Sequence, residues 1–145
     1  MKYTNQITIN QPIAKVIELF DNADNMQYWM PGFVSYEFIE GVPGQVGSKM
    51  KLTFKMGNRE MVLTETITVR NLPQEFSGTY EHKGVYNVVK NFFSAVDENT
   101  TLYKSESEFQ FSTFGMKLLG WLMPGAFKKQ SQKYLEQFKA FAEKS

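Results

Sequence analysis

One carboxylate in this 145-residue sequence occupies a position where charged side chains are rarely found. Glu65 stands in the segment MVLTETITV, in which apolar and polar side chains alternate as they do in a β-strand. The alternation places it on the apolar face with Met61, Leu63, Ile67 and Val69. Burial of an unpaired carboxylate costs several kcal/mol or raises its pKa. Glu65 therefore needs a proton, a partner or a water-filled cavity, unless a β-bulge turns it outward, and both interpretations are open.

Few other groups in the sequence are suited to proton transfer. His82 is the only imidazole, and it stands at a strand end beside Lys83 and Gly84, a setting typical of a solvated turn residue. Four side chains are candidate partners for an inward Glu65: Arg59, Tyr80, His82 and Tyr103. They form no sharp catalytic constellation, so the sequence assigns no catalytic residue.

Composition narrows the function further. The sequence lacks cysteine and has one histidine, which argues against disulfides, thiolate zinc sites and multi-histidine metal sites, and we expect no metal or cofactor. Sixteen basic and 15 acidic residues give a net charge of +1, so we expect no nucleic-acid partner.

The length and the 42% hydrophobic content suit one domain over residues 1–145. The polar, alternating start is not typical of a signal peptide, and apolar runs stay short of the ~20 residues that span a bilayer. We expect a cytoplasmic monomer or weak homodimer without stable membrane insertion.

The patterns around these residues predict an α+β fold. A strand over residues 3–9 precedes a helix that begins near Pro12 and a second short helix through Trp29. About six antiparallel strands follow, one pair joined by a tight turn at Gly57-Asn58, and then one long C-terminal helix. The apolar stripe of that helix comprises Phe127, Ser131, Tyr134, Leu135, Phe138, Phe141 and Ala142. Because it is the only element long enough to cover the sheet, we expect it to pack across one face of a curved sheet.

Two further segments admit competing interpretations. The glycines of EGVPGQVGS suggest a phosphate loop, but a strand follows them where such a loop needs a helix, so we interpret them as a turn. The run GMKLLGWLMPG contains Pro124, which predicts a kink or a new helix start, and Trp121 and Met123 would then form a flap. The lysines of the terminal helix raise membrane-surface binding as an alternative, but docking on a concave sheet explains the stripe better.

Three stretches of the sequence resemble a known superfamily: INQPIAKVIELFDNADNMQYWMPGF, EGVPGQVGSKMKLTF and FKKQSQKYLEQFKAFAE. They resemble the opening strand and helix, the glycine loop and the gripping helix of the START-like (SRPBCC) superfamily, with its Bet v 1-like helix-grip fold. The nearest group is similar to the polyketide cyclase/dehydrase and lipid transport proteins. The resemblance implies an apolar-ligand cavity between sheet and long helix, with the glycine loop near its mouth. It does not identify the ligand.

Small polar residues on apolar faces fit such a cavity. Asn87 and Asn91 share a face with apolar residues of one strand, as do Ser105 and Ser107 in the next, unless a bulge inverts a strand. We predict binding of a small hydrophobic ligand, such as a lipid, polyketide or aromatic compound. The alternatives are a cyclase/aromatase- or hydrolase-like enzyme and an interaction protein. The predicted ligand-binding residues, with Trp29 at the rim, are Trp29, Met50, Leu52, Phe54, Met61, Leu63, Glu65, Tyr80, Tyr103, Phe109, Trp121 and Tyr134.

Overall fold

The computed structural model describes residues 1–112, residue 114 and residues 124–145. The strands are β1 (Lys2–Ile9), β2 (Phe33–Glu40), β3 (Lys49–Met56), β4 (Arg59–Asn71), β5 (Glu75–His82), β6 (Val85–Asp97) and β7 (Thr100–Phe111). The helices are α1 (Ile13–Phe20), a 3-10 turn (Ala23–Asn25), α2 (Met26–Trp29) and α3, described from Pro124 to Lys144.

The seven strands form one antiparallel sheet in the order β1-β7-β6-β5-β4-β3-β2. Strands β2 to β7 follow one another as neighbours, and β1 pairs with β7, so the first and last strands lie side by side. The predicted tight turn is confirmed, because Met56 pairs with Arg59 and Gly57 between them has a positive φ of 65°. The predicted helix-grip architecture is thus confirmed. We call the sheet face that α3 covers the inner face.

Helix α3 is attached along strand β1. The Tyr3 hydroxyl lies 2.6 Å from the Ser131 Oγ, and the Asn5 Nδ2 donates to the Gln132 Oε1 at 2.8 Å. Every residue of the predicted apolar stripe is buried or half-buried, as its spacing predicts. The helix therefore turns one face to the sheet and leaves its lysine-rich face in water.

The two halves of α3 differ in packing. Towards its C-terminal end, Phe138 is 0% exposed and its ring centroid lies 5.5 Å from Phe20 and 5.0 Å from Trp29. Tyr103 of β7 completes this cluster at 5.9 Å. Towards its N-terminal end, Phe127 is only half-buried. Among the described residues, the aromatic packing on α3 is consequently tighter around Phe138 than around Phe127.

A second, smaller cluster lies under strands β3 and β4. Leu52, Phe54 and Met26 form its buried part, and Met30 touches both clusters. One prediction for β4 is wrong in detail, since Val69 does not share the face of Ile67. A register shift between these two residues inverts the alternation, a reversal that a single strand's sequence does not reveal.

The loop between β2 and β3 is a turn, as interpreted. Gly41, Gly44 and Gly47 all have φ near 80–90°, a region that favours glycine, and strand β3 follows directly. A Cβ on Gly41 would lie 2.8 Å from the Ser48 Cα, so the loop also requires glycine for close approach.

Candidate functional site

The strand register aligns one row of side chains across the inner face. From β7 to β3, each residue lies directly opposite the next in the row Phe109, Asn87, Tyr80, Glu65 and Met50. Glu65 lies between Tyr80 and Met50 in this row and is 8% exposed. The β4 bulge falls after Ile67, too far along the strand to turn Glu65 outward. Of the two interpretations, the structure supports an inward carboxyl group.

Tyr80 is the partner that the register gives to Glu65. Burial raises the pKa of the Glu65 carboxyl, and interaction with the Tyr80 hydroxyl opposes this rise only partly. The same burial, together with the Glu65 charge, raises the pKa of Tyr80 well above its ordinary value. Burial thus shifts both groups of the pair towards their uncharged forms relative to free side chains.

Two other candidate partners, His82 and Arg59, do not lie opposite Glu65 in the strand register. His82 is half-buried at the end of β5, and its Nδ1 lies 2.8 Å from the Val62 carbonyl oxygen. Because a carbonyl oxygen only accepts, the Nδ1–H donates in this contact. Arg59 is exposed at the first position of β4, six residues from Glu65 along the strand.

Buried polar groups continue the site towards β1. The Tyr103 hydroxyl donates to the Asn91 Oδ1 at 3.1 Å, and both side chains are buried. Ser105 lies opposite Asn91 and is buried, as is Ser107 in the same strand. Strands β6 and β7 pair without a register shift over these residues. The prediction that the polar residues share a face with apolar neighbours is therefore confirmed. Hydrogen-bonding groups therefore lie amid apolar side chains on the inner face.

The predicted ligand-binding residues fall into three groups. Half-buried on the inner side are Met50, Met61, Leu63, Tyr80, Phe109 and Tyr134, and beside them lies the more deeply buried Glu65. Leu52, Phe54 and Tyr103 are buried in the packed clusters, so they support the wall and do not form its surface in this conformation. Trp121 and the predicted flap lie outside the described residues.

The predicted rim position of Trp29 is wrong. Its side chain is 5% exposed and packs between Phe20 and Phe138. Within the described part of the chain, its Nε1 is buried without a hydrogen-bond partner, which costs about 1–3 kcal/mol. The sequence places Trp29 only in a short helix before a turn, and its burial depends on how that helix packs on α3.

Phe127 is a site residue that the predicted lining omits. Its ring centroid lies 4.9 Å from that of Phe109 and 6.1 Å from that of Phe111. The signal was present, because Phe127 opens the apolar stripe of the terminal helix. These rings border the inner face near the N-terminal half of α3.

Other surfaces of the described structure are less suited to a site. A depression of about 610 Å³ follows the outer face of α3 and is lined by polar residues such as Lys129, Gln132 and Glu136. Residues 1–112 and 124–145 contain no group of three or more acidic or imidazole side chains placed to hold a metal ion. In the same residues, the helices lack the combined length and apolar character needed to cross a bilayer.

Sheet, gripping helix and inward polar row together define a protein of the helix-grip class. The chain belongs to the polyketide cyclase/dehydrase and lipid transport family, whose sequence model matches residues 1–143. Curated proteins give no match to this chain.

Solved structures show the same fold at low sequence identity. The structure of Ara h 8.0201 has a TM-score of 0.79 at 15% identity, with 100% of this chain and 99% of that one covered. The ZhuI aromatase/cyclase from Streptomyces sp. R1128 has a TM-score of 0.79 at 12% identity, with coverages of 99% and 93%. Norcoclaurine synthase from Thalictrum flavum, in complex with dopamine and hydroxybenzaldehyde, has a TM-score of 0.70 at 14% identity, with coverages of 97% and 85%.

Proposed function

We propose that this chain binds one small, mainly apolar molecule between the inner face and the N-terminal half of α3. The observation that carries the proposal is the partial exposure of Met61, Leu63, Phe109 and Tyr134, although all four face the interior. Protein interiors are close-packed, so inward side chains that retain accessible surface indicate space that the described residues do not fill. Phe138, towards the C-terminal end of α3, retains none.

The hydrophobic effect would supply most of the affinity. Burial of about 200 Å² of apolar ligand surface contributes about 5 kcal/mol at ~25 cal/mol per Å². The methionines Met50 and Met61 add adaptability, because unbranched side chains can repack around ligands of different shape. Glu65, Tyr80 and Asn87 would then orient the ligand through hydrogen bonds.

Fluorescence of 1-aminoanthracene, an uncharged aromatic probe at neutral pH, tests this function. Leu63→Trp fills the proposed space, and we expect it to weaken binding about tenfold, or ~1.4 kcal/mol. Val62→Trp is the matched control, because Val62 is the next residue on the opposite face and is 38% exposed. We expect the control to bind the probe like the wild type. Failure of the wild type to bind, or equal weakening in both variants, would contradict the proposal.

An enzyme of the cyclase/aromatase or hydrolase kind is the second candidate. The observation that favours it is the buried Glu65 beside the Tyr80 hydroxyl, a pair suited to donate and accept protons in a water-poor site. Incubation with a poly-β-ketone tests it by mass spectrometry, since an aldol cyclisation with dehydration releases one water. Catalysis would be supported if the wild type, but not Glu65→Gln, removes one water from the substrate while the variant still binds the probe. An unchanged substrate mass with the wild type would contradict it.

We also propose a cytoplasmic protein that is a monomer or weak homodimer. Edge strand β2 leaves Val34, Phe38 and Ile39 exposed, which favours some self-association. Register shifts near both ends of β2 disturb the edge and oppose continuous pairing with a second copy. Sedimentation at two concentrations tests this, and a stable dimer at low concentration would contradict it.

A further inference from the structure

We propose that the preferred ligand carries a protonated amine and that Glu65 is its counter-ion. This inference rests on the proposed binding function and names the chemical class of the ligand. An aromatic or alicyclic amine would place its ring among the half-buried apolar side chains and its ammonium group beside the Glu65 carboxylate.

The distribution of charge carries the inference. Among residues 1–112 and 124–145, Glu65 is the only Asp, Glu, Lys or Arg that is buried. The five ion pairs found in those residues all join partly exposed groups, and Glu65 takes part in none of them. Buried carboxylates are normally paired, because an uncompensated charge in the interior is strongly unfavourable. A ligand cation would supply the charge that the described part of the chain does not.

The groups around Glu65 suit an ammonium ion. Tyr80 lies directly opposite on β5, Met50 lies opposite on β3, and Tyr103 and Tyr134 stand close enough to influence Tyr80. Phenol oxygens accept hydrogen bonds from N–H groups, and aromatic faces attract cations. An anionic ligand would meet a carboxyl group and no buried base among the described residues. The site should therefore reject carboxylates of the same shape.

Proton competition gives the site a pH signature. Burial raises the pKa of Glu65, so a proton occupies the carboxyl group at low pH and must leave before it can pair with a cation. Affinity for an amine should rise with pH until the amine itself loses its proton. His82 lies two residues beyond Tyr80 on the same face of β5 and is the histidine to control in the experiment.

Displacement of 1-aminoanthracene by three matched compounds tests the inference. The compounds are 2-phenylethylamine, 2-phenylethanol and 3-phenylpropanoate, which share a ring and a two-carbon linker and differ in charge. At pH 8 we expect the amine to bind about tenfold more tightly than the alcohol, and the acid most weakly. Glu65→Gln, which keeps the shape and loses the charge, should remove the advantage of the amine over the alcohol. His82→Gln should retain that advantage.

The outcomes separate the two proposals. If the probe binds but the wild type prefers the alcohol or the acid to the amine, the amine inference is overturned and the binding function stands. If the probe does not bind, the proposed function itself fails. Should Glu65→Gln not fold, the wild type alone decides, because an amine that binds no more tightly than the alcohol at pH 8 overturns the inference.

Discussion

Glu65→Gln should stabilise the ligand-free protein, and by more as the pH rises. Glu65 is 8% exposed, lies opposite Tyr80, and has a raised pKa because of its burial. When a carboxyl pKa is higher in the folded than in the unfolded state, the folded state holds more protons between the two values. The stabilisation that Glu65 contributes is therefore fully present below the pKa of the unfolded state. It is lost as the pH rises through the pKa of the folded state. Glutamine does not titrate and lacks this decline.

The size of the effect follows from the pKa difference. Each unit by which folding raises the pKa costs about 1.4 kcal/mol at high pH. Independently of that shift, leaving a buried polar group unsatisfied costs about 1–3 kcal/mol, so we expect Glu65→Gln to be more stable than the wild type by about that amount at pH 8 and by less at pH 4. The amide can still accept from the Tyr80 hydroxyl, so that contact is preserved.

Urea denaturation followed by circular dichroism, repeated between pH 4 and pH 8, measures the difference. Glu60→Gln is the control, because Glu60 lies on the same strand but is exposed. We expect its free energy of unfolding to follow that of the wild type at every pH. A difference between the wild type and Glu65→Gln that does not change with pH, or that has the opposite slope, would refute the inward, uncompensated carboxyl group.

Three further predictions concern packing. Phe138→Ala should lower the free energy of unfolding by about 3–5 kcal/mol and Phe127→Ala by about half as much or less, because Phe138 is fully buried and Phe127 is not. Equal losses in urea titrations would contradict the conclusion that the two halves of α3 differ in packing. Gly78→Ala should cost about 1–3 kcal/mol, since its Cβ would lie 2.8 Å from the Thr66 carbonyl oxygen, and an unchanged melting temperature would refute this clash. Tyr80→Phe should raise the pKa of the buried carboxyl further, which ¹³C NMR of the labelled carboxyl measures; a lower pKa would show that Tyr80 does not stabilise the carboxylate.

Much of the fold follows from periodicity. Strand alternation places Glu65 and Asn91 on the inner face, and helical spacing selects the face of α3 that carries Phe138. These predictions succeed because each depends on residues within one element. The resemblance to a superfamily supplied the way in which the elements assemble.

Features that depend on two elements were beyond the sequence. The burial of Trp29 requires α2 to pack on α3, and the face of Val69 depends on a bulge in the pairing of β4 with β5. The choice of Tyr80 as the partner of Glu65 depends on register, which the lengths of the connecting turns set. None of these follows from the pattern of a single strand.

Native mass spectrometry of the protein purified from its own host tests the central claim most directly. An unfilled space beside α3 predicts one small molecule per chain, released on denaturation and lost from Leu63→Trp but retained by Val62→Trp. Detection of the apo mass alone in the wild type, under conditions that preserve the fold, would contradict a ligand-binding function.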